Sequence, residues 1–416
     1  MSKNMKHPLF ILFFCLFVVM TGYGLTLPVL PYYIERLAVN SEATTGQAAF
    51  QVGLLTGVFS LMQFLFAPLW GKWSDRTGRR PLFLIGLIGF ALSMILFALG
   101  TNLIMLYTAR IIGGILSAAV LPIAGAFVAD MTSEQDRARG MAWLGSATSL
   151  GVVLGPALGA FLSKWGIQRA YSFGYFRIDD FSIPFFSASI LAFLALGAAI
   201  RWFPESLNRS GDNVQGDGKG GFNSLEPGSK PTAGRRWIGP LLALAFLNYF
   251  ALAIFEGTFA LHAKVLINFG AFEMGWIFMV CGLVMAVSQG TLIPTLIGRF
   301  GEIPLLPVGF IMMSAGLVFL MRAEQMASVL VFVALFALGV ALITPTLASM
   351  VSKWAGSDVG KALGQLTAAN SLGQAAGPMV GGIMIGWQVH VPYLLTALFL
   401  GIAAFASLLL IRGKGA

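Results

Sequence analysis

The chain has 416 residues, of which 57% are hydrophobic and only 10% charged, and its mean hydropathy is +0.83. Soluble globular proteins carry about 25% charged residues, so this composition excludes a water-soluble particle of this size. We therefore predict an integral membrane protein. Its 50 glycines and 35 phenylalanines lie in long apolar runs without the alternating polar pattern of barrel strands, which favours membrane-spanning helices.

Motifs that would indicate catalysis or a bound cofactor are missing from the sequence. The two cysteines, Cys15 and Cys281, lie in separate apolar runs, which excludes a disulfide framework and a CxxC metal site. The sequence also contains no HExxH motif and no Walker loop. We therefore expect no cofactor, no metal ion and no enzymatic activity.

Twelve apolar runs are long enough to cross a membrane as helices, which takes about 20 residues each. The first run follows Lys3 and Lys6 but is too long for a signal-peptide core, so we keep it as span 1. The predicted spans lie near residues 8–31, 51–70, 82–100, 103–128, 141–163, 183–203, 237–262, 272–297, 304–321, 326–350, 362–387 and 391–411.

The distribution of basic residues orients these spans. Of the 26 Lys and Arg residues, 19 fall in tails and loops on the side of both termini, 6 fall on the opposite side, and Arg110 lies within span 4. Cytoplasmic loops carry an excess of Lys and Arg, so we predict that both termini are cytoplasmic. This bias also accounts for the net charge of +9, so we expect the lipid bilayer, and not nucleic acid, as a partner.

A polar, glycine-rich segment between spans 6 and 7 divides the chain. Residues 204–236 include the run GDNVQGDGKGG and almost no aliphatic side chains, which is typical of a flexible linker. We predict a cytoplasmic linker at 204–236 between an N-terminal six-helix half, residues 1–203, and a C-terminal six-helix half, residues 237–416.

The two predicted halves share sequence patterns at a nearly constant offset. A glycine and proline pattern in span 5 recurs 222 residues later in span 11, and Arg76-x-Gly78 recurs 223 residues later as Arg299-x-Gly301. Because six spans separate the copies, both copies have the same orientation in the membrane, as in parallel repeats. The matching positions are Gly151, Gly155, Pro156 and Gly159 in span 5, and Gly373, Gly377, Pro378 and Gly381 in span 11.

The loop after span 2 reads GKWSDRTGRRP from Gly71 to Pro81. It resembles the signature loop G-x-x-x-D-R-x-G-R-R/K of the major facilitator superfamily. In such a loop Gly78 allows a tight turn, and Asp75 can pair with Arg79 and with a helix N-terminus. The resemblance implies the major facilitator fold and a cytoplasmic gate that latches the two halves together. A positive-inside anchor would explain the arginines alone. The gate residues are Gly71, Asp75, Arg76, Gly78, Arg79 and Arg80.

Arg110 and Glu256 carry charges within predicted spans, where a charge is costly and normally functional. Arg110 begins an R-x-x-x-G pattern that resembles helix 4 of proton-coupled superfamily members. Glu256 lies in F-E-x-x-F-x-L, which resembles helix 7 of quinolone and multidrug exporters of the drug:proton antiporter branch. The resemblance implies that Glu256 and Arg110 take part in proton coupling. The alternative for either residue is a side chain that snorkels to the membrane surface.

The glycine and proline pattern of span 5 resembles the G-x-x-x-G-P-x-x-G motif of exporters that exchange substrate for protons. Small residues allow close helix packing, and proline weakens the backbone ladder, so we expect a bend where the two halves meet. Ordinary close packing of the same glycines is the alternative. The copy in span 11 extends the prediction to Gly377 and Pro378.

Aromatic and polar residues in the spans could line an adaptable pocket for flat apolar substrates, although lipid-facing positions are an alternative for each of them. The candidates for the cavity wall are Phe59, Gln63, Tyr249 and Phe255.

We predict a proton-coupled secondary exporter, an antiporter of amphipathic small molecules or drugs that works by alternating access. We expect it to act as a monomer in the bacterial inner membrane. Export of a natural metabolite, such as a siderophore, a sugar or a lipid, is the alternative, because fold and coupling motifs do not define the pocket.

Overall fold

The computed structural model describes residues 3–39, 45–131, 134–164, 171–173, 176–206, 238–354 and 359–412. Most of the predicted linker, residues 207–236, lies outside this part of the chain. The described residues form helices α1 (Lys3–Val39), α2 (Thr45–Thr77), α3 (Arg79–Ala98), α4 (Leu103–Ser117), α5 (Val120–Met131), α6 (Glu134–Lys164), α7 (Ser182–Trp202), α8 (Ile238–Ile267), α9 (Ala271–Gly290), α10 (Leu292–Phe300), α11 (Leu305–Leu320), α12 (Met326–Trp354), α13 (Val359–Trp387) and α14 (Val391–Arg412).

The prediction of an all-α membrane protein is confirmed. Length and hydropathy alone identify ten membrane-spanning helices among the described residues. Of the other two predicted spans, span 9 is the shorter apolar helix α11, and span 11 is α13, whose glycines and amides lower its hydropathy. Spans 4 and 8 each consist of two helices, α4 with α5 and α9 with α10, separated by one or two residues.

A small hairpin between α6 and α7 is a local addition that the hydropathy pattern did not indicate. Strands β1 (Tyr171–Phe173) and β2 (Phe176–Ile178) pair in antiparallel register, with Tyr171 opposite Ile178. The hairpin lies on the side of the bundle opposite the chain ends. We call that side the far face, which also carries Asn102 and Asn268, and we call the side of Gly78 and Gly301 the terminal face.

Buried side chains form two large cores. One core is built from residues between Leu9 and Phe203, and the other is built mainly from residues between Leu241 and Ala404. Leu27 of α1 belongs to the second core, so α1 packs into both. We refer to the residues before 207 and after 237 as the N-terminal and C-terminal halves, and the predicted boundaries at 203 and 237 stay a prediction.

The two halves meet through α2 against α13 and α6 against α9. These contacts are tight toward the far face. A methyl group added to Gly53 of α2 would lie 2.8 Å from the carbonyl carbon of Pro378, and one added to Gly275 of α9 would lie 2.8 Å from the carbonyl oxygen of Pro156. Backbones this close leave room for no side chain at either glycine.

The same helices stand apart toward the terminal face. Added methyl groups on Gly145 of α6, Gly290 of α9 and Gly364 of α13 would meet no atom within 4 Å. The described helices therefore enclose a space that is closed at the far face and open at the terminal face.

Candidate functional site

A cavity of about 280 Å³ lies between the two halves. Helices α1, α6, α8, α9, α12 and α13 contribute to its wall, which is mainly apolar. Of the described residues that line it, Glu256 is the only one with a charged side chain. The other polar or aromatic groups on the wall include Tyr23, Thr148, Ser149, Tyr249, Phe278, Gln289, Thr344 and Gln374.

A second, much smaller cavity of about 10 Å³ adjoins the first. Such a volume is about enough for one water molecule. Its wall includes Glu256 and Tyr23, which also line the central cavity, together with Thr56, Phe59 and Arg110. The two charged residues predicted within the spans, although 146 positions apart in the sequence, therefore face one small space.

Arg110 is buried inside the N-terminal half, with only 4% of its surface exposed. Its guanidinium carbon lies 5.0 Å from the ring centre of Phe59 and 4.7 Å from that of Phe97, so two aromatic faces stabilise the cation. The Nε atom is buried without a hydrogen-bond partner in the described structure. This burial does not fit the alternative in which Arg110 reaches the membrane surface.

Of the four residues predicted to line a substrate cavity, Tyr249 lines the central cavity and Phe59 lines only the small one. Phe255 is 0% exposed and packs against Phe278 and Phe336 in the C-terminal core, so its prediction was wrong. Phe255 neighbours Glu256, and consecutive helical residues point about 100° apart.

Gln63 was also placed wrongly, since it is absent from the walls of both cavities. It lies one turn beyond Phe59 on α2, toward the terminal face, where α2 separates from α13. Gln374, Gln289 and Thr344 supply the polar groups of the wall instead. Sequence reasoning missed them because amides and hydroxyls in a span give no sign of the direction that they face.

The predicted gate loop is built around Arg79, whose side chain is almost fully buried. Its Nη1 atom donates to the carboxylate of Asp75 at 2.5 Å and to the hydroxyl of Ser74 at 2.6 Å, and its Nε atom donates to Asp130 at 3.0 Å. Gly78 turns the chain between α2 and α3 with φ +108°, which an L side chain rarely adopts. Gly71 packs near Pro122 of α5.

Glu205 is a functional candidate that sequence reasoning missed. Its carboxylate accepts hydrogen bonds from the backbone N–H groups of Arg79 at 2.8 Å and Arg80 at 3.1 Å, at the start of α3. The partial positive charge of a helix N-terminus favours this arrangement. The expectation that Asp75 serves such a terminus was therefore wrong for α3, although its pairing with Arg79 is present. The only available signal was an acid in the first loop residues after span 6.

The partners assigned above to the gate loop all belong to the N-terminal half. The Arg80 guanidinium likewise donates to the carbonyl of Ile200 at 2.6 Å. Arg76 stands on the exposed last turn of α2. A latch that joins the two halves here stays a prediction, and it concerns a conformation closed at the terminal face.

The C-terminal half carries a related loop. Gly301 has φ +76°, and the next residue, Glu302, accepts hydrogen bonds from Lys353 and, at 2.9 Å, from Ser349. These donors, Lys353 first, hold the pKa of the Glu302 carboxyl below its usual range. The loop thereby fixes the start of α11 to the end of α12.

The glycines of α6 and α13 do not lie between the halves, which corrects the sequence prediction. A methyl group on Gly155 would lie 2.8 Å from the Cα of Gly24 on α1, and one on Gly377 would lie 2.7 Å from the carbonyl oxygen of Phe250 on α8. Gly151 and Gly159 also face α1, and Gly373 and Gly381 face α8. The glycine faces therefore hold each half together internally.

The backbone at the prolines of the same motif does reach the other half. The carbonyl group of Pro156 faces Gly275 and that of Pro378 faces Gly53, while the two proline rings pack within their own halves, against Gly24 and Gly257. The motif as a whole borders the interface, but only its proline segment forms it.

Comparison with known proteins identifies the family. The family model described as the Major Facilitator Superfamily matches residues 12–294 and 241–415. The chain belongs to the Major Facilitator Superfamily. It is 31% identical over 394 residues to "Multidrug resistance protein 1" of Bacillus subtilis (strain 168), which covers 93% of this chain and 92% of that protein. It is 24% identical over 389 residues to "Quinolone resistance protein NorA" of Staphylococcus aureus (strain COL), with coverage of 93% and 92%.

A solved structure supports the same fold. A bacterial homolog of the human lysosomal transporter Spinster, in an inward-facing and occupied conformation, superposes with a TM-score of 0.75 at 16% identity, covering 99% of this chain and 98% of that one. The major facilitator fold is confirmed, and the chain is a multi-span membrane transporter and not an enzyme. Its relatives in Bacillus and Staphylococcus are consistent with a bacterial cell membrane.

Proposed function

We propose that this major facilitator protein is a proton-coupled exporter of amphipathic small molecules, including drugs. The observation that carries the proposal is the position of Glu256, the one charged group among the described residues of an otherwise largely apolar cavity between the two halves. The names of its relatives, a multidrug resistance protein and a quinolone resistance protein, support drugs as the substrate class.

Coupling follows from the cost of burying a charge. An ionised carboxylate is far more costly than a neutral carboxylic acid in a closed, water-poor space. Closing the halves around Glu256 is therefore easier when it carries a proton, and opening to water favours its release. A bound amphipathic cation can neutralise the carboxylate in place of the proton, so the halves close around either occupant but not around both. A proton gradient then drives the protonated protein in one direction and the substrate-loaded protein in the other, which exports the substrate.

Arg110 completes the coupling site. Arg110 and Glu256 line the same one-water cavity, which places the cation where it can stabilise the carboxylate after proton release. The gate loop around Arg79 and the proline segments of α6 and α13 serve the alternation between the two conformations. Gly78 and Gly301 form the turns at the terminal face between α2 and α3 and between α10 and α11.

The test compares Glu256→Gln with Glu324→Gln in purified protein reconstituted into proteoliposomes. Glutamine keeps the shape of the side chain but removes the titratable proton. Glu324 is an exposed carboxylate on the far face, outside both cavities, and provides the matched control. With ethidium as an amphipathic probe and an imposed pH gradient, we expect Glu256→Gln to lower uptake by at least about tenfold and Glu324→Gln to leave it unchanged.

An uncoupler should abolish transport by the wild-type protein and by Glu324→Gln alike. Uncoupler-sensitive ethidium transport at the wild-type rate in Glu256→Gln would show that Glu256 is not the proton carrier. Elution as a monodisperse peak in detergent establishes that each variant is folded.

A further inference from the structure

Tyr23 separates the two cavities that meet at Glu256. Three residues, Tyr23, Leu27 and Glu256, line both the central cavity and the small cavity beside Arg110. Tyr23, Glu256 and Arg110 together line the small cavity. The aromatic ring of Tyr23 therefore forms part of the wall between the open, substrate-sized space and the enclosed, water-sized one.

Contacts from both halves of the protein hold the Tyr23 side chain in place. Within the N-terminal half it stacks on Phe59, with ring centres 6.0 Å apart and planes 27° apart, and Phe59 in turn contacts the guanidinium of Arg110. From the C-terminal half, the side-chain amide of Gln374 on α13 donates a hydrogen bond to the Tyr23 hydroxyl at 3.3 Å. This hydrogen bond joins the two halves at the level of Glu256.

Four titratable side chains from four helices surround Glu256, and Tyr23 is one of them. Arg110 approaches from α4, Tyr23 from α1 and Cys281 from α9, while Tyr249 lies on α8 itself. Arg110 is the only one of these four that is charged at neutral pH. Glu256 lines the central cavity and Arg110 only the small one, so movement of the Tyr23 ring would change how freely the space beside Arg110 shares water with the central cavity.

We propose that Tyr23, held by Gln374, is a positioning residue that links substrate occupancy to proton exchange at Glu256. Gln374 and Tyr23 both line the central cavity, so a substrate group that bonds the Gln374 amide competes with the Tyr23 hydroxyl. The released ring then turns on Phe59 and joins the small cavity beside Arg110 to the central one. Water that reaches Arg110 in this way speeds proton exchange at Glu256 while substrate is bound. This inference rests on the proposed function.

The test uses Tyr23→Phe and Gln374→Met in the same proteoliposomes, with an internal pH-sensitive dye and ethidium as the substrate. Each variant removes the hydrogen bond and keeps the size of the side chain. We expect each to raise the substrate-independent proton leak by about threefold or more, and to lower the protons moved per ethidium by a similar factor. Because both remove the same bond, the double variant should be no worse than the more affected single variant.

Tyr32→Phe is the matched control. The Tyr32 hydroxyl also bonds across the halves, to the carbonyl of Phe269 at 2.8 Å, but at the far face and away from both charged groups. It should change the rate of transport without changing the proton leak or the proton-to-ethidium ratio. A merely structural role for Tyr23 predicts the same result for Tyr23→Phe.

Three outcomes would overturn the proposal. They are a wild-type leak and ratio in folded Tyr23→Phe, additive effects of the two single variants, or an equal leak in Tyr32→Phe. Failure of the proposed function is separate, since it would appear as coupled transport by Glu256→Gln. If Glu256→Gln is inactive while Tyr23→Phe and Gln374→Met remain fully coupled, only the role of Tyr23 is wrong.

Discussion

The two halves use the same loop with opposite charges. Gly78 and Gly301 both adopt positive φ just before a helix. The residue after each glycine forms an ion pair with a residue at the terminal-face end of the next span but one. That pair is Arg79 with Asp130 in the N-terminal half. In the C-terminal half it is Glu302 with Lys353, at positions 223 residues later, so the acid and the base have changed places.

The comparison separates what the repeat preserves from what it does not. The backbone geometry and the ion pair that joins the loop to a helix end are preserved. The sign of each charge can change, because the pair is equally stable when the acid and the base exchange positions. The coupling charges are not repeated at all. At the same offset, Arg110 corresponds to Val333 and Glu256 to Tyr33, and both counterparts are fully buried.

The N-terminal loop also carries more contacts than its counterpart. Arg79 reaches Asp75 as well as Asp130, and Glu205 binds the start of α3. The residue 223 positions after Asp75 is Gly298, which has no side chain. The N-terminal loop is therefore a network, and the C-terminal loop is closer to a single pair.

The largest expected effect comes from reversing charges in the two pairs. Asp130→Lys places a second cation beside the buried guanidinium of Arg79 and should lower ethidium transport by about tenfold or more. Adding Arg79→Glu rebuilds the charge order of the C-terminal half but sets a second carboxylate beside Asp75, so recovery should be partial. Transport per molecule of folded protein is the measurement.

The matched pair of changes is Lys353→Asp with and without Glu302→Arg. Here the double reversal should recover most of the activity, because Gly298, at the position that matches Asp75, has no side chain that could repel the new arginine. Equal recovery in the two halves would contradict the distinction between a network and a single pair.

A second comparison distinguishes glycines within a half from glycines between halves. Gly155→Leu and Gly377→Leu should each lower thermal stability in detergent, because the new side chain must enter α1 or α8, and overpacking costs about 1–3 kcal/mol. Gly53→Ala and Gly275→Ala should lower stability less, because the two halves can separate at the far face to admit the methyl group, and this separation opens that face.

Cysteine accessibility from each side of the membrane detects that opening. Greater labelling at far-face positions in Gly53→Ala or Gly275→Ala than in the wild-type protein is the expected result. A drop in melting temperature without any change in labelling would mean that these two glycines serve packing alone.

Gly78 and Gly301 provide a smaller contrast. Alanine at either position is strained by positive φ, which costs about 1–3 kcal/mol. A methyl group on Gly78 would also lie 2.5 Å from the carboxylate of Glu205, whereas one on Gly301 would meet nothing within 4 Å. Gly78→Ala should therefore lower the melting temperature more than Gly301→Ala. Identical losses would show that Glu205 moves aside freely.

Sequence patterns predicted the parts of this protein that depend on residue type at a fixed spacing. The spans, the repeat and the glycine turns all follow from such patterns, and the Asp75–Arg79 pair is local, at i and i+4. Contacts between distant segments were not predictable in this way. Glu205 meets α3 from more than 120 positions away. The Glu302–Lys353 pair does not follow from a repeat of identical residues, because its charges are reversed between the halves.

The direction of side chains on the spans was the other limit. Helices buried in protein on one side and in lipid on the other are apolar all round, so hydropathy does not show which side faces a cavity. Phe255 was placed wrongly for this reason. The glycines at 155 and 377 were assigned to the interface that their neighbours, Pro156 and Pro378, actually form.

The smallest expected effect is the pH dependence of the Glu302–Lys353 pair. The pKa of Glu302 in the folded protein lies below that of an unfolded glutamate, which is about 4.3. The pair therefore contributes stability above that pH and loses it as pH falls through the folded pKa. Lys353 is largely exposed, so the contribution should be below about 1 kcal/mol. The melting temperature of Glu302→Gln should fall slightly below wild type at pH 7, and the difference should shrink as pH falls below about 4.3 and through the folded pKa. A difference that persists unchanged at low pH would assign it to the hydrogen bond from Ser349 and not to charge.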